Sequence, residues 1–296
     1  MFTGLSAFPL TPLQHGRIDE SAFTRLMERL AVAGVDSICV LGSTGNYAYL
    51  NRDARRRVAE LAAQHAGGVP LMVGIAALNT SEVLALAEDA QQAGVGAVLL
   101  APMSYQPLTA DEVFGLYETV SGALSVPLVV YDNPATTHFE FSDELHASIA
   151  RLPNVCSIKI PPVLGDIATV HARVERLRAL LPPHVTLGIS GDATAVTGLL
   201  GGCDAWYSAL GGLFPTTVLD ITRAAQAGDC STAIQLSGRL ELIWALFRRH
   251  GSLRVVATAA ELLGHAEEPC LPAPLKTLRD AERRQLAAAL QDLQLK

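Results

Sequence analysis

Residues 93–102 read AGVGAVLLAP, two glycines followed by an unbroken apolar run. Gly94 stands where an amphipathic segment ends, and glycine is the residue most often found just beyond a helix. Residues 97–102 do not alternate with polar residues, which is typical of a parallel strand that helices cover on both faces. The same pattern at residues 33–36, AGVD, and 201–204, GGCD, predicts a repeated helix–strand unit.

Eight apolar runs of this kind predict eight strands. They are residues 4–10, 37–42, 70–76, 97–102, 127–133, 155–160, 186–191 and 205–210. Helical patterns lie between them, at residues 19–33, 52–65, 81–93, 110–123, 143–151, 167–181, 193–200 and 217–227. Eight strand–helix units in about 225 residues predict a closed (β/α)8 TIM barrel. The alternative, an open doubly wound sheet, needs a glycine-rich phosphate loop after the first strand, and PLTP at 9–12 offers none.

Side chains with oxygen acceptors mark several predicted helix starts. The predicted N-cap residues are Asn51, Thr80, Thr109 and Ser142. After Gly228 the pattern changes, because helices are predicted at residues 232–250, 253–263 and 278–293 with no strand between them. We therefore divide the chain into a barrel, residues 1–228, and a C-terminal helical extension packed on it, residues 229–296.

Composition narrows the class of function. Of 296 residues, 50% are hydrophobic and 17% charged, and the net charge of −7 comes without a basic run. We therefore expect no nucleic-acid or membrane partner. Five widely spaced cysteines and the lack of an apolar stretch of about 20 residues predict a soluble, cytoplasmic protein without a disulfide framework. The histidines lack metal-binding spacing, so we expect no metal or other cofactor and disfavour a metal-dependent hydrolase.

Lysine usage singles out one residue. The chain has 22 Lys and Arg side chains, and only Lys159, Lys276 and Lys296 are lysines. Lys159 lies near the end of the sixth predicted strand, and alternation along a strand places it and Ser157 toward the barrel interior. Burial there favours the neutral amine, which can attack a ketone and form a Schiff base. The alternative is a lysine that extends from the strand end into solvent.

Other candidates lie at the same ends of the strands, where a barrel carries its active site. Tyr131 lies near the end of the fifth predicted strand and could transfer protons beside an imine; the alternative is a core tyrosine with a satisfied hydroxyl. Residues 42–45, GSTG, offer hydroxyls and backbone N–H groups that could hold a carboxylate, although small polar turns are common. Gly191 could line the pocket floor, whereas Asp192 is better interpreted as a helix cap.

These motifs together resemble the dihydrodipicolinate synthase and N-acetylneuraminate lyase family of class I, pyruvate-using barrels. The likeness covers nearly the whole chain and lies in residues 4–12 (GLSAFPLTP), 42–45 (GSTG), 131–134 (YDNP), 157–159 (SIK) and 190–192 (SGD). They look like the family's first strand, its G-T-T-G carboxylate turn, its Y-N-x-P segment, its G-I-K segment and its S-G-D strand end.

The resemblance implies a role for each motif. Lys159 forms the imine, Tyr131 shuttles protons, and Thr44 acts with them as a catalytic residue. Ser43, Thr44 and Gly45 bind the pyruvate carboxylate, and Gly191 contributes to the pocket.

Three departures from the family pattern concern the second substrate. Dihydrodipicolinate synthases carry P-Y-Y after the fourth strand, and the second tyrosine reaches a neighbouring subunit; here Ser104 takes that place and Tyr105 follows it. Thr136 stands where those synthases have an arginine for the aldehyde's carboxylate, and a neutral threonine cannot make that bidentate contact. Asn46 replaces the glutamate that usually follows the G-T-T-G turn.

We therefore predict a class I aldolase or lyase that acts on pyruvate or a related 2-oxo acid and an aldehyde, such as a 2-keto-3-deoxy sugar acid aldolase. Ser104, Tyr105 and Thr136 are assigned to the binding of this second substrate. Dehydratase chemistry through the same imine and 4-hydroxy-tetrahydrodipicolinate synthase activity stay open, as does a non-catalytic barrel that binds a 2-oxo acid. The resemblance also implies a homo-oligomer, either a dimer or a tetramer.

Overall fold

A barrel of eight parallel strands forms the centre of the molecule, which a computed structural model describes from residue 2 to residue 295. Its strands are β1 (Gly4–Ala7), β4 (Ser37–Val40), β5 (Leu71–Gly74), β6 (Ala97–Leu100), β7 (Leu128–Tyr131), β8 (Val155–Ile160), β9 (Thr186–Ile189) and β10 (Ala205–Ser208), with β2 (Leu13–Gln14) and β3 (Arg17–Ile18) forming a separate antiparallel hairpin. Pairing of β1 with both β4 and β10 closes the barrel. Each barrel strand lies inside its predicted range, so the predicted (β/α)8 fold is confirmed.

Helices cover the outside of the barrel, and further helices form the part of the chain that follows it. Their bounds are α1 (Glu20–Ala33), α2 (Arg52–His65), α3 (Thr80–Gln92), α4 (Ala110–Ala123), α5 (Pro134–Thr137), α6 (Asp143–Ala150), α7 (Ile167–Arg178), α8 (Ala195–Leu200), α9 (Pro215–Gln226), α10 (Cys230–Arg239), α11 (Glu241–His250), α12 (Ser252–Leu262) and α13 (Asp280–Asp292). Short 3-10 helices lie at Tyr47–Tyr49, Asp192–Thr194 and Leu210–Gly212. Within residues 2–295, no helix has the length and apolar character needed to span a membrane.

The predicted helix starts are confirmed at three positions and wrong at one. The side chains of Asn51, Thr109 and Ser142 each accept a hydrogen bond from a backbone N–H of the first turn, and Thr109 forms a full capping box with Glu112. The start of α3 lies one residue earlier than predicted, because Asn79 and not Thr80 is the cap. Asparagine at this position accepts directly from the Glu82 N–H at 2.8 Å.

The helix predicted at residues 232–250 is two helices, and the prediction is wrong at Leu240. Leu240 leaves helical geometry and buries its side chain, so it ends α10 and precedes α11. The indole N–H of Trp244 donates to the Ser237 carbonyl at 2.9 Å, which takes up an acceptor that a continuous helix would use. α11 packs on the 3-10 helix Asp192–Thr194. The proposed division near residue 228 stays a prediction.

Strand register fixes which side chains meet at the mouth of the barrel. β7 and β8 pair so that Tyr131 lies beside Lys159 and Val130 beside Ile158. The Asp132 N–H continues this pairing beyond the strand by donating to the Lys159 carbonyl at 3.0 Å. Because side chains alternate along a strand, the residues on either side of Tyr131 and Lys159 point toward the surrounding helices.

Candidate active site

Lys159 lies inside the barrel, with its side-chain nitrogen over two aromatic rings. Its Nζ lies 3.7 Å from the centroid of the Tyr131 ring and 4.5 Å from that of Phe8. Only 5% of the residue is exposed, and within residues 2–295 no carboxylate forms an ion pair with it. Ring faces attract a cation but cannot accept its proton. They therefore hold the lysine nitrogen in place without a carboxylate that would balance its charge. This arrangement leaves the nitrogen available to a ligand that enters the barrel mouth.

Two polar side chains contact the Tyr131 hydroxyl. Ser43 Oγ lies 3.1 Å from it, and the side-chain amide of Asn133 donates to it at 2.9 Å. Burial raises the pKa of the Tyr131 phenol, but the Lys159 ammonium and the hydrogen bonds from Ser43 and Asn133 lower it by more. The resulting pKa lies below the usual tyrosine value, which suits a group that gives up and takes back a proton.

The turn at residues 42–45 follows β4 and provides an anion site. Gly45 closes it by donating its N–H to the Gly42 carbonyl at 2.9 Å. The backbone N–H groups of Ser43 and Thr44 have no carbonyl acceptor within residues 2–295, and Thr44 is buried beside the half-buried Ser43. Adjacent free N–H groups with a hydroxyl beside them are suited to a carboxylate.

Close backbone approach explains the glycines of this turn. A Cβ on Gly45 would lie 2.7 Å from the Leu41 nitrogen, and a Cβ on Gly42 would lie 2.6 Å from the Phe8 ring. Leu41 itself has a φ of 57°, a left-handed conformation that leucine seldom adopts. Such a conformation at a strand end is typical of a site where the backbone must present its groups to a ligand.

Asp192 does not cap a helix, so that prediction is wrong. Its buried carboxylate accepts hydrogen bonds from Trp206 Nε1 at 3.1 Å, from the Ala209 N–H at 3.2 Å and from the Ser208 hydroxyl. These donors come from the end of β10, and an aspartate that binds them joins the ends of β9 and β10. Burial raises the pKa of Asp192, and its hydrogen bonds with Ser208, Ala209 and Trp206 oppose that rise.

Gly191 has a φ of 82° and lies against the loop that follows Lys159. A Cβ at this position would come within 2.3 Å of the Pro162 ring. The glycine therefore lets the β9 end approach the loop after β8 closely.

The three residues predicted for the second substrate differ in their exposure in the single chain. Tyr105 is 89% exposed. Thr136 is exposed, and its hydroxyl donates to the Asn133 carbonyl at 3.3 Å. Ser104 is half-buried, and its side chain forms no hydrogen bond within residues 2–295. The structure of one chain thus brings together the lysine, the tyrosine and the carboxylate turn, whereas the assignment of Ser104, Tyr105 and Thr136 to the second substrate stays a prediction.

Sequence reasoning missed Asn133 and Phe8. Both could have been found from strand periodicity, since Asn133 lies two residues after Tyr131 and therefore on the same side of the chain. Phe8 follows β1 at the barrel end that carries the predicted lysine, and its ring centroid lies 4.5 Å from Lys159 Nζ. Both lie in segments compared with the family, residues 4–12 and 131–134, but the resemblance assigns neither of them a role. An asparagine before a proline also fits a plain helix start.

A second aromatic–cation pair adjoins the site. Tyr47 follows the turn at 42–45, and the Arg55 guanidinium lies 5.5 Å from its ring. Burial, with a smaller contribution from Tyr131, raises the pKa of Tyr47 to about 12. Burial lowers the pKa of Arg55 to about 10. Arg55 donates to the Gly74 and Ala76 carbonyls at 2.9 Å each, so the cation is fixed at the end of β5.

Known proteins are similar to this chain over nearly their full length. A model of the dihydrodipicolinate synthetase family matches residues 1–293. The 4-hydroxy-tetrahydrodipicolinate synthase of Phenylobacterium zucineum (strain HLK1) is 30% identical over 295 residues, which cover 99% of this chain and 97% of that protein. The enzyme of the same name from Nitratidesulfovibrio vulgaris (strain DP4) is also 30% identical over 295 residues, covering 97% of this chain and 98% of that protein.

A solved structure agrees with these relatives. The crystal structure of dihydrodipicolinate synthase from Agrobacterium tumefaciens str. C58 has a TM-score of 0.95 to this chain at 45% identity, covering 99% of this chain and 98% of that one. Sequence and structural similarity thus extend from end to end and include every strand that carries a site residue. The chain belongs to the dihydrodipicolinate synthetase family and is a Schiff-base lyase, as its motifs predicted.

Proposed function

We propose that the chain is a class I aldolase in which Lys159 forms an imine with pyruvate or a related 2-oxo acid. The observation that carries this proposal is the buried Lys159 amine, 3.7 Å from the ring of Tyr131, whose hydroxyl meets Ser43 of the anion-binding turn. A neutral lysine nitrogen adds to the keto carbon and gives a carbinolamine. Loss of the carbinolamine hydroxyl as water leaves the imine, an electron sink for carbon–carbon bond formation or cleavage.

The carboxylate of the 2-oxo acid is assigned to the turn at residues 42–45. The free N–H groups of Ser43 and Thr44 are the proposed donors, with the Thr44 hydroxyl beside them. Gly45 keeps the turn tight. Gly191 is assigned to the wall of the pocket, where it lets the β9 end approach the loop after β8 closely. Hydrogen bonds from backbone amides suit an anion because their dipoles are fixed before the ligand arrives.

Tyr131 is the proposed proton carrier. Its phenol protonates the departing carbinolamine hydroxyl, and the phenolate so formed takes a proton from the carbon next to the imine to give the enamine. The Tyr131 phenol is thereby regenerated, and the enamine carbon can attack an aldehyde. Ser43, at 3.1 Å, is placed to pass a proton to or from the same oxygen, and Thr44 is assigned to this relay as its second hydroxyl.

We propose a hydroxy-aldehyde as the second substrate, with a 2-keto-3-deoxy sugar acid as the aldol. Thr136 supports this, because it is uncharged and exposed where the resembling synthases use an arginine. A hydroxy-aldehyde needs hydroxyl partners and no cation, and Ser104 and Thr136 are of that type. Dehydratase chemistry on such a sugar acid starts from the same imine and would share Lys159 and Tyr131.

The specific alternative is 4-hydroxy-tetrahydrodipicolinate synthase activity, since the curated relatives at 30% identity carry that name. The two proposals differ in the aldehyde that the enamine attacks. Purified protein would be incubated with pyruvate and either aspartate semialdehyde or a panel of hydroxy-aldehydes, and pyruvate consumption and product mass would be measured. Faster consumption with a hydroxy-aldehyde supports the sugar-acid proposal, whereas a preference for aspartate semialdehyde overturns it.

A non-catalytic barrel that only binds a 2-oxo acid is tested by turnover. Borohydride reduction with pyruvate would trap an imine in either case, because trapping needs only the amine and the ketone. Steady release of aldol, dehydration or cleavage product excludes the non-catalytic alternative. A trapped adduct without turnover on any aldehyde or sugar acid would support it.

We also propose that the protein is a homo-oligomer, a dimer or tetramer. Large hydrophobic side chains follow three neighbouring strands at the active-site end of the barrel and are exposed in the single chain; they are Tyr49, Leu78 and Tyr105. A second copy of the chain would cover them and bring Tyr105 toward a neighbouring site. Light scattering should give a mass of two or four chains, which Tyr105→Asp should lower. A monomeric wild type would contradict this proposal.

We propose the cytoplasm as the location. All five cysteines are free, and their thiols suit a reducing compartment.

A further inference from the structure

Asn133 is the N-cap residue of a short helix, but its side chain accepts no hydrogen bond from that helix. It immediately precedes α5, whose first residue is Pro134. Asparagine in this place ordinarily accepts a hydrogen bond from a backbone N–H of the first turn through its side-chain oxygen. Here the N–H groups of Thr136 and Thr137 go to the Asn133 backbone carbonyl at 3.0 Å each, and no side-chain cap bond forms.

The side chain of Asn133 instead contacts Tyr131 in the candidate active site. Its Nδ2 donates to the Tyr131 hydroxyl at 2.9 Å. Asp132, between them in sequence, faces the other way, with its carboxylate 3.3 Å from His146 Nε2 on α6. In the Y-N-x-P segment that this stretch resembles, the asparagine stands at the position of Asp132. Asn133 stands at the x of that pattern, so its contact with Tyr131 comes from a position that the family pattern does not specify.

We propose that Asn133 is a positioning residue that holds the Tyr131 oxygen as a hydrogen-bond acceptor and thereby directs the phenol's own proton toward Ser43 and the reacting carbinolamine. This inference rests on the proposed Schiff-base function. An amide nitrogen can donate but not accept, so Asn133 never takes up the phenol proton. One lone pair of the oxygen is occupied, and the hydroxyl hydrogen is left for a partner on the other side.

The same contact stabilises the ionised intermediate of the reaction. When the carbinolamine loses its hydroxyl, Tyr131 gives that oxygen its proton, water leaves, and the nitrogen becomes an iminium. The phenolate left behind is surrounded by the Asn133 amide, the Ser43 hydroxyl and the positive charge on the Lys159 nitrogen. Donors that point at a developing anion favour the charged state without rearranging.

Two substitutions at Asn133 separate donation from simple packing. Asn133→Leu keeps the shape but cannot donate. Asn133→Asp keeps both shape and polarity, but its carboxylate cannot donate when ionised and places a second negative charge beside the phenolate. The control is Ala135→Ser, an exposed position in the same short helix α5. Circular dichroism and thermal unfolding would establish that all three variants are folded.

The first readout needs no substrate. The ultraviolet absorbance of tyrosinate would be followed against pH in each protein and in the same protein with Tyr131→Phe, and the difference gives the titration of Tyr131 alone. We expect its midpoint to rise by about one pH unit in Asn133→Leu and by more in Asn133→Asp, because a donor to the charged form is lost. Ala135→Ser should leave the midpoint unchanged.

The second readout is the rate at which borohydride traps pyruvate on Lys159. We expect the trapping rate at neutral pH to fall on the order of tenfold in Asn133→Leu, and its pH optimum to move higher. The reason is that a phenol with a higher titration midpoint transfers its proton less readily at neutral pH. A Tyr131 midpoint and a pH profile that do not move in either variant would overturn the inference while leaving imine formation intact. Failure of the wild type to form any adduct would instead refute the proposed function, and the titration would still decide the role of Asn133.

Discussion

Tyr131 and Lys159 are register partners on adjacent parallel strands, and the lysine nitrogen lies 3.7 Å from the centre of the tyrosine ring. Hydrogen bonding between β7 and β8 fixes this relationship, so it does not depend on a mobile loop. The Tyr131 hydroxyl in turn reaches Ser43 after β4, across the barrel mouth. Three strand ends thus bring an amine, a phenol and an anion-binding turn into one space.

Removal of the Tyr131 hydroxyl should slow imine formation without unfolding the protein. Tyr131→Phe keeps the ring under Lys159 but loses the proton carrier, so trapping of pyruvate by borohydride should slow by roughly 100-fold or more. The matched control is Tyr117→Phe, another buried tyrosine, whose hydroxyl donates to the Leu100 carbonyl at 2.6 Å. That variant should lose about 1 kcal/mol of unfolding free energy and keep its trapping rate. Equal trapping rates in the two variants would contradict the role of Tyr131.

A methyl group at Gly45 should damage the carboxylate site. The Cβ of Gly45→Ala would lie 2.7 Å from the Leu41 nitrogen, so the turn must open and its N–H groups must move. The pyruvate concentration that half-saturates trapping should rise roughly tenfold, about 1.4 kcal/mol of binding free energy. Gly115→Ala on α4 is the control, since a Cβ there has no atom within 4 Å. If half-saturation in Gly45→Ala matched wild type, the carboxylate would lie elsewhere.

A cation at position 136 should change the choice of aldehyde. Thr136→Arg supplies a guanidinium where the resembling synthases have one, and arginine binds carboxylates in a bidentate manner. We expect kcat/KM for aspartate semialdehyde to rise roughly tenfold, with little change for an uncharged hydroxy-aldehyde. Competition assays that measure both products in one mixture would check this. A wild-type protein already selective for aspartate semialdehyde, with no gain from the arginine, would show that Thr136 does not govern the choice.

The Arg52–Asp89 pair between α2 and α3 should make stability depend on pH. Arg52 holds the pKa of Asp89 below its usual value by hydrogen bonds at 2.6 and 2.8 Å. A carboxyl with a lowered folded-state pKa stabilises the fold above its unfolded pKa, about 3.8, and this stability is lost as the pH falls through the folded value. Because Arg52 is half exposed, we expect Asp89→Asn to cost on the order of 1 kcal/mol at neutral pH.

Denaturant unfolding across this pH range would measure the effect. The difference between wild type and Asp89→Asn should shrink as the pH falls below about 3.8. Glu88→Gln, an exposed neighbour on α3, should be nearly neutral throughout. A difference that stayed constant down to acid pH would mean that the pair contributes no charge-dependent stability.

The pattern of apolar residues and the glycines that follow the helices were enough to predict the barrel. Runs such as residues 97–100 are apolar at each position and follow a glycine just beyond a helix, and both features depend on local chain chemistry alone. The helix break at Leu240 was not predictable in this way, because it depends on the tertiary packing of Leu240 and on the Trp244 indole that occupies the Ser237 carbonyl.

The site was predictable only where strand ends carry it. Tyr131 and Lys159 follow from alternation and the barrel rule. Asp192 was misjudged because its partners, Trp206, Ser208 and Ala209, are distant in sequence and become neighbours only when β9 pairs with β10. Asn133 was overlooked because its position before a proline also fits an ordinary cap.

The most direct test of the central proposal is borohydride trapping with pyruvate, followed by mass mapping of the modified peptide. The chain suits this experiment, since Lys159, Lys276 and Lys296 are its only lysines and Lys276 is exposed. We predict a reduced pyruvyl adduct on Lys159 alone, and none in Lys159→Arg, whose guanidinium stays protonated. An adduct that mapped to Lys276 as readily as to Lys159, or no adduct with any 2-oxo acid, would contradict the assignment of Lys159 as the Schiff-base nucleophile.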